Sequence, residues 1–520
     1  MSILRTAGLI AILSLISKFF GLFREMEISK VYGTNFIRDA YIIASNWPAG
    51  FALVMIAGLN GPFHTSVVTV ISKYKALDKA QDVKTIIFTL TIISCLFMSI
   101  IGLIFYYFAP ELINFMSAPN TPIATKLLAI TQFRIMCPMF LLSALIGISY
   151  GILNIEKVYF TPSLSPVMAS LSVIVSLYIS SPETRPVALA WGTMVGAILQ
   201  LALQLIPLFK HLKNYVSFSF KINHPGIAQL FGILLPSFLS STVGQVNILI
   251  MTYFGSGLPI GSISAFTSAN VILQLPLGIM LTALLVPLLP VLNQSTIIDD
   301  GNVTFKKNIN RGVRSLIFLS VPAAAILICS GQQLIQMLFQ RGQFNPESTR
   351  LTYLCLAGLS LSLVFYAIRD LLVRVFYALD NAKVPFYTSV FSIITMSLGC
   401  WSFISLFHFK AAGIALAVSI VTTVNMSILG ISLRRKIGKW LEPETLKHLS
   451  RVLLATIPVV IYCLGFNMVF GERFTIPIFI IYGIFLGVVG IGSISILRLL
   501  KDQEAIEITD KLLRKLKISR

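Results

Sequence analysis

Acidic residues are scarce in this chain: 20 Asp and Glu stand against 40 Lys and Arg, and charged residues make up only 12% of its 520 positions. A soluble domain carries about a quarter. With 56% hydrophobic residues and a mean hydropathy of +0.86, the deficit excludes an ordinary water-soluble protein. Its six cysteines (Cys95, Cys137, Cys329, Cys355, Cys400, Cys463) include no CxxC pair and fall inside apolar stretches, which excludes a disulfide framework or a zinc site. There is no phosphate-binding GxxxxGK loop, no HExxH, and no His/Cys cluster at metal spacing. Neither a cofactor nor a metal is therefore expected, nor transport driven by the chain's own nucleotide hydrolysis. The five histidines are scattered, and only His64 falls inside an apolar span, so no Ser/His/Asp arrangement for an enzyme assembles. The N-terminus has a charge before an apolar run but no small-residue cleavage motif, and a retained first span is expected.

What the chain does have is long apolar runs along its whole length, the signature of helices crossing a hydrocarbon core of about 30 Å. The expectation is an all-α polytopic membrane protein of about 14 transmembrane helices. They fall near residues 7–30, 36–72, 83–108, 123–153, 160–180, 187–209, 226–254, 261–293, 312–338, 349–378, 385–406, 411–433, 449–470 and 475–498. The net charge of +20 does not form one patch suited to nucleic acid; it gathers in loops after even-numbered spans, such as "SKYKALDKAQDVK" and "RRKIGKWLEPETLKHLSR". By the positive-inside bias, those loops and both termini are cytoplasmic. The tail "EAIEITDKLLRKLKISR" puts Ile506, Leu512, Leu513 and Leu516 on one helical face with basic residues opposite, suited to an anionic phospholipid surface.

The chain also repeats itself. "YGILNIEKVYFTP" at 150–162 matches "FYALDNAKVPFYT" at 376–388, pairing Leu153 with Leu379, Lys157 with Lys383 and Val158 with Val384. "VYGTNFIRDAY" at 31–41 resembles "YFGSGLPIGSISAF" at 253–266. An even number of spans per unit makes the repeat parallel. The expected organisation is two six-helix pseudo-symmetric lobes, 1–222 and 223–445, around a central cavity, then two additional transmembrane helices (446–501) and a basic amphipathic cytoplasmic tail (502–520). Two such lobes suit alternating access.

The remaining chemistry lies in ionisable residues at membrane depth. Each costs about 3 kcal/mol on insertion scales and normally faces a watery cavity, a partner or a substrate. In "LISKFFGLFREMEISKVYG" (residues 15–33), Lys18, Gly21 and Glu25 share a helical stripe, Arg24 adjoins it, and Glu27 and Lys30 belong to the interface. The second span adds Asp39, then breaks at "SNWPAGF" and "GLNGPFH", a pattern suited to a cavity wall. The eighth adds Asn270 and Gln274 before Pro276, and the tenth Arg369, Asp370 and Arg374. As helix neighbours, Arg369 and Asp370 are expected to point in different directions. His64, Gln274 and Arg374 are secondary candidates.

These same residues carry a resemblance to the MurJ (MviN) family of bacterial lipid II flippases, in the multidrug/oligosaccharidyl-lipid/polysaccharide exporter superfamily. The family's Ser-Arg, Gly-Phe and Arg-Asp of the first span appear as Ser17-Lys18, Gly21-Leu22 and Arg24-Glu25, and its Asp-Ala-Phe as Asp39-Ala40-Tyr41. "GPFHTSVVTV", "QLPLGIMLTALLVPLLP" and "LFQRGQFNPEST" are similar to further family segments, so that the resemblance covers roughly residues 10–440. It implies a flippase, not an enzyme, that moves lipid II from the inner to the outer leaflet of the bacterial cytoplasmic membrane. Other cell-wall synthesis proteins are possible partners. Lys18 and Arg24 would grip the diphosphate, Glu25 and Asp39 would orient them, and Asn270 would line the cavity. Two departures stand out: the paired arginines of the second span are absent from "NWPAGFALVMIAGLNG", and Asn270 occupies a position where an arginine is expected. The Asn/Asp pair some members use for sodium is also missing, with Met396 and Cys400 near those positions. A flippase for another polyprenyl-diphosphate-linked saccharide, a multidrug exporter of the same superfamily, and a cargo-free scaffold remain as alternatives.

Overall fold

A computed structural model describes residues 3–58, 61–211, 215, 218–297, 302–470, 476–500, 502 and 506. Among them every regular element is helical, as a bilayer demands, because a helix satisfies its own backbone polar groups. The chain forms two compact units, residues 1–264 and 265–520.

The first unit holds α1 (Ile3–Tyr32), α2 (Phe36–Ser45), a π-helical segment (Asn46–Ile56), α3 (Pro62–Ala76), α4 (Ala80–Tyr107), α5 (Ala109–Met116), α6 (Ile123–Met136), α7 (Met139–Ile155), α8 (Phe160–Ile179), α9 (Arg185–His211) and α10 (Pro225–Ser256). One core packs Val67, Ile71, Ile86, Leu90, Phe140 and Leu230 of α3, α4, α7 and α10. Another packs Ile43, Phe133, Met139 and Ala197 of α2, α6, α7 and α9. Ile28 and Tyr32 fasten α1 to Val173, Leu177 and Leu189 of α8 and α9. Helices α8 and α9 touch almost backbone to backbone, since a Cβ on Gly192 would lie 2.3 Å from Ser176 Oγ and one on Gly196 2.8 Å from the Ala169 Cα.

The start of α11 (Ser262–Met280) closes the first unit. The second continues it through a π-helical turn (Leu281–Leu285), α12 (Val286–Ser295), α13 (Val303–Phe339), α14 (Pro346–Ser360), α15 (Leu363–Ala378), α16 (Lys383–Trp401), a further π-helical turn (Ser402–Leu406), α17 (Lys410–Ile437), α18 (Pro443–Phe470) and α19 (Ile476–Leu499). Its core joins Leu316, Leu371, Val375, Leu429 and Ala455 of α13, α15, α17 and α18.

Ten described helices are long and apolar enough to cross a membrane, and two pairs bent by 43° and 46°, α6 with α7 and α14 with α15, bring the number to twelve. The charged α1 and the broken path of α2 are the two expected spans outside that number. The break at Pro48 and Gly50 appears as the π-helical segment, but protein rather than a cavity satisfies its first carbonyl: Gln245 Nε2 of α10 donates to Asn46 O at 2.9 Å, and Asn46 Nδ2 donates to Thr252 Oγ1 at 2.8 Å. The expected amphipathic tail lies outside the described residues apart from Asp502 and Ile506.

Candidate functional site

Helix α1 ends at Gly33, whose φ of +60° few other residues adopt, and Asn35 then caps α2 by accepting the Arg38 N–H at 3.1 Å. This short turn brings Arg38, in the first turn of α2, against the last turn of α1. Arg38 Nη1 donates to Gly33 O at 2.9 Å and to Ser29 Oγ at 3.2 Å, while Nη2 forms an ion pair with Glu25 Oε1. Arg38 is 1% exposed and Glu25 4%. A cation at a helix C-terminus complements the macrodipole, and such a buried pair survives because both partners are hydrogen-bonded.

Asp39 is also buried and engaged. Its Oδ2 accepts the Gly261 N–H at 2.6 Å, and Oδ1 accepts both the Ser264 N–H at 3.0 Å and the Ser264 hydroxyl. Its carboxylate therefore caps the N-terminus of α11, where unpaired N–H groups and the helix dipole favour an anion. Glu25 and Asp39, expected to orient the cations of α1, are thus held by Arg38 and by α11.

The cations are left free. Lys18 and Arg24 are partly buried on α1, and among the described residues neither makes an ion pair; Arg24 Nε is enclosed without any hydrogen-bond partner. Six residues separate them, a rise of about 9 Å along the helix. Glu27 and Lys30 sit in the last two turns of α1, 3.6 Å apart and both bonded to the Tyr178 hydroxyl.

Of the other candidates, His64 belongs to the first unit, and Asn270, Gln274 and Arg374 belong to the second. His64 is buried in the α3–α7 contact, its Nε2 3.0 Å from Asn154 Nδ2 and its ring edge-on to Tyr150. Asn270 is half-buried and Gln274 exposed on α11, four residues apart and so on one face, within the second unit. Arg374 of α15 donates from Nη1 to Leu285 O at 3.4 Å, at the end of a π-helical turn. Arg369 and Asp370, contrary to expectation, do pair. Arg369 Nη2 and Nε lie 2.6 and 3.1 Å from Asp370 Oδ1, and the guanidinium covers the Tyr366 ring at 3.9 Å. A long, bendable arginine stem undoes the divergence of adjacent Cβ directions.

Arg38 emerges as a site residue only from the structure. The available signal was an arginine beside Asp39, one helical turn after the Gly33 helix stop.

Charges placed on an all-helical, multi-pass scaffold of this architecture define a membrane transporter. Its fold matches a multidrug transporter of the MATE family and the MOP superfamily in an inward-facing conformation, with a TM-score of 0.69, 16% identity, and coverage of 83% of this chain and 98% of that one. A solved structure of the lipid II flippase MurJ in an inward closed conformation matches with a TM-score of 0.76 and 22% identity over 98% of this chain and 99% of that one. The sequence pattern of the family described as lipid II flippase MurJ matches residues 28–485. A probable lipid II flippase MurJ from Synechocystis is 33% identical over 449 residues, 84% of this chain and 82% of that protein. The lipid II flippase MurJ of Burkholderia cenocepacia is 24% identical over 443 residues, 84% of each. The chain belongs to the MurJ family.

Proposed function

We propose that the chain translocates lipid II, a polyprenyl diphosphate bearing a disaccharide-pentapeptide, from the inner to the outer leaflet of the bacterial cytoplasmic membrane. One observation carries the reading: Glu25 and Asp39 are consumed by buried partners, whereas among the described residues Lys18 and Arg24 make no ion pair. An unpaired cation at membrane depth is costly unless it meets an anion, and a diphosphate supplies several oxygens for a guanidinium to grip at once. The relatives' names give the cargo that fits this chemistry.

In this reading two six-helix lobes rock about the site, with the α18–α19 pair outside the duplicated core. Both termini and the basic loops face the cytoplasm and its anionic phospholipids. The chain makes and breaks no covalent bond of its cargo. A leaflet-to-leaflet assay in proteoliposomes tests this: wild-type protein moves lipid II, and Arg24→Ala does not while still inserting. Undiminished transport by Arg24→Ala refutes the assignment.

A further inference from the structure

We propose that Arg38 is a positioning residue that keeps Arg24 available to the cargo by drawing Glu25 away from it. The inference rests on the reading of Arg24 as a substrate contact.

An arginine followed directly by an acid occurs on three helices of this protein: on α2, Arg38 and Asp39 are each held by other groups, and the pairs on α15 and α1 have opposite outcomes. On α15, Arg369 closes on its neighbour Asp370 through two nitrogens, at 2.6 and 3.1 Å. That pair leaves the guanidinium committed. On α1, Arg24 precedes Glu25, and sequence adjacency is no barrier to the same closure. There, however, Glu25 Oε1 is held by Arg38 Nη2, and Arg24 Nε remains enclosed without a partner.

Arg38 is suited to that task and to no direct one. It is 1% exposed, so its charge is not offered to a cargo. Both terminal nitrogens are engaged, Nη1 with Ser29 Oγ at 3.2 Å and Gly33 O at 2.9 Å, and Nη2 with Glu25. The planar fork thereby bridges the end of α1 and a carboxylate from the same helix, a geometry that lysine, with its single ammonium, reproduces only in part. Arg24, Glu25 and Arg38 carry a net charge of +1, and the arrangement puts that charge on Arg24. The second span adds no cation beyond Arg38, since "NWPAGFALVMIAGLNG" holds no basic residue.

The test is equilibrium binding of lipid II to the purified full-length protein in nanodiscs, with each variant's thermal midpoint recorded alongside. Arg38→Ala weakens binding by about tenfold, the value of one charge-assisted contact, because Glu25 turns to Arg24. Adding Glu25→Gln to Arg38→Ala returns affinity to within about threefold of wild type, because no acid remains to claim Arg24. If Arg38→Ala fails to insert, Arg38→Gln makes the same comparison. A purely structural Arg38 would move the thermal midpoint and leave affinity unchanged, which overturns the proposal. A double variant as weak as the single also overturns it, since Arg38 would then not be acting through Glu25. Arg24→Ala serves as the control: wild-type binding there removes the functional reading itself, whereas loss of binding there with normal binding in Arg38→Ala removes only the present inference.

Discussion

Asp39 and Gly261 are 222 positions apart, yet Asp39 Oδ2 lies 2.6 Å from the Gly261 nitrogen, and the same carboxylate takes the Ser264 N–H at 3.0 Å. One side chain at the start of α2 thus neutralises the N-terminus of α11. Asp39→Ala leaves those donors enclosed and unpaired and should lower stability by about 1–2 kcal/mol. Asp39→Asn keeps one accepting oxygen and should cost less. Thermal unfolding in detergent ranks the two, and equal midpoints would show that the cap contributes nothing.

A second charged knot lies where α3, α7 and α9 end. Glu156, just beyond α7, accepts Lys75 Nζ at 2.6 Å and the Tyr215 hydroxyl, with His211 Nδ1 3.5 Å away. Burial pushes the Glu156 carboxyl up, but the hydrogen bonds from Lys75 and Tyr215 and the charges of Lys75 and His211 outweigh it, holding it below the ordinary 4.5. A carboxyl depressed in the folded state adds stability that is present above 4.5 and lost as pH falls through its lower folded value. Glu156→Gln should therefore flatten the acid side of the stability profile and leave the neutral side nearly parallel to wild type.

A third prediction concerns the end of α19. His448 Nδ1 lies 2.6 Å from Asp502 Oδ2, His448 Nε2 lies 3.0 Å from Arg314 O, and both side chains of the pair are 1% exposed. Arg451 stands 3.8 Å from the same carboxylate. Asp502→Ala strands a buried imidazole and should cost about 3 kcal/mol, read as a lower thermal midpoint. An unchanged midpoint would deny the contact.

The glycine seam of α8 and α9 gives a fourth. Gly196→Leu forces a side chain into the Ala169 backbone and should destabilise by about 1–3 kcal/mol or lower the amount of inserted protein. Gly21→Ala on α1, where a Cβ meets nothing within 4 Å, is the matched control.

Most of the fold was legible because hydropathy reports span length directly, and Pro48 and Gly50 announced the break in the second span. Glu25 and Asp39 were recognisable as unusual, but their partners were not. Asp39 reaches across more than 220 positions, and Glu25 bonds an arginine that only the Gly33–Asn35 turn brings near. The pairing of Arg369 with Asp370 was not legible because adjacent Cβ directions diverge on a helix, and only side-chain reach closes the gap. His64, a lone histidine in a span, is part of the packing through its contacts with Asn154 and Tyr150.

The central claim is that unpaired positive charge on α1 handles an anionic cargo, and lipid II translocation by Lys18 variants in proteoliposomes tests it most directly. Lys18→Arg, which keeps the cation, should transport within about threefold of wild type, and Lys18→Glu, equally able to insert, should fall by at least about tenfold. Equal transport by the two variants would contradict the account.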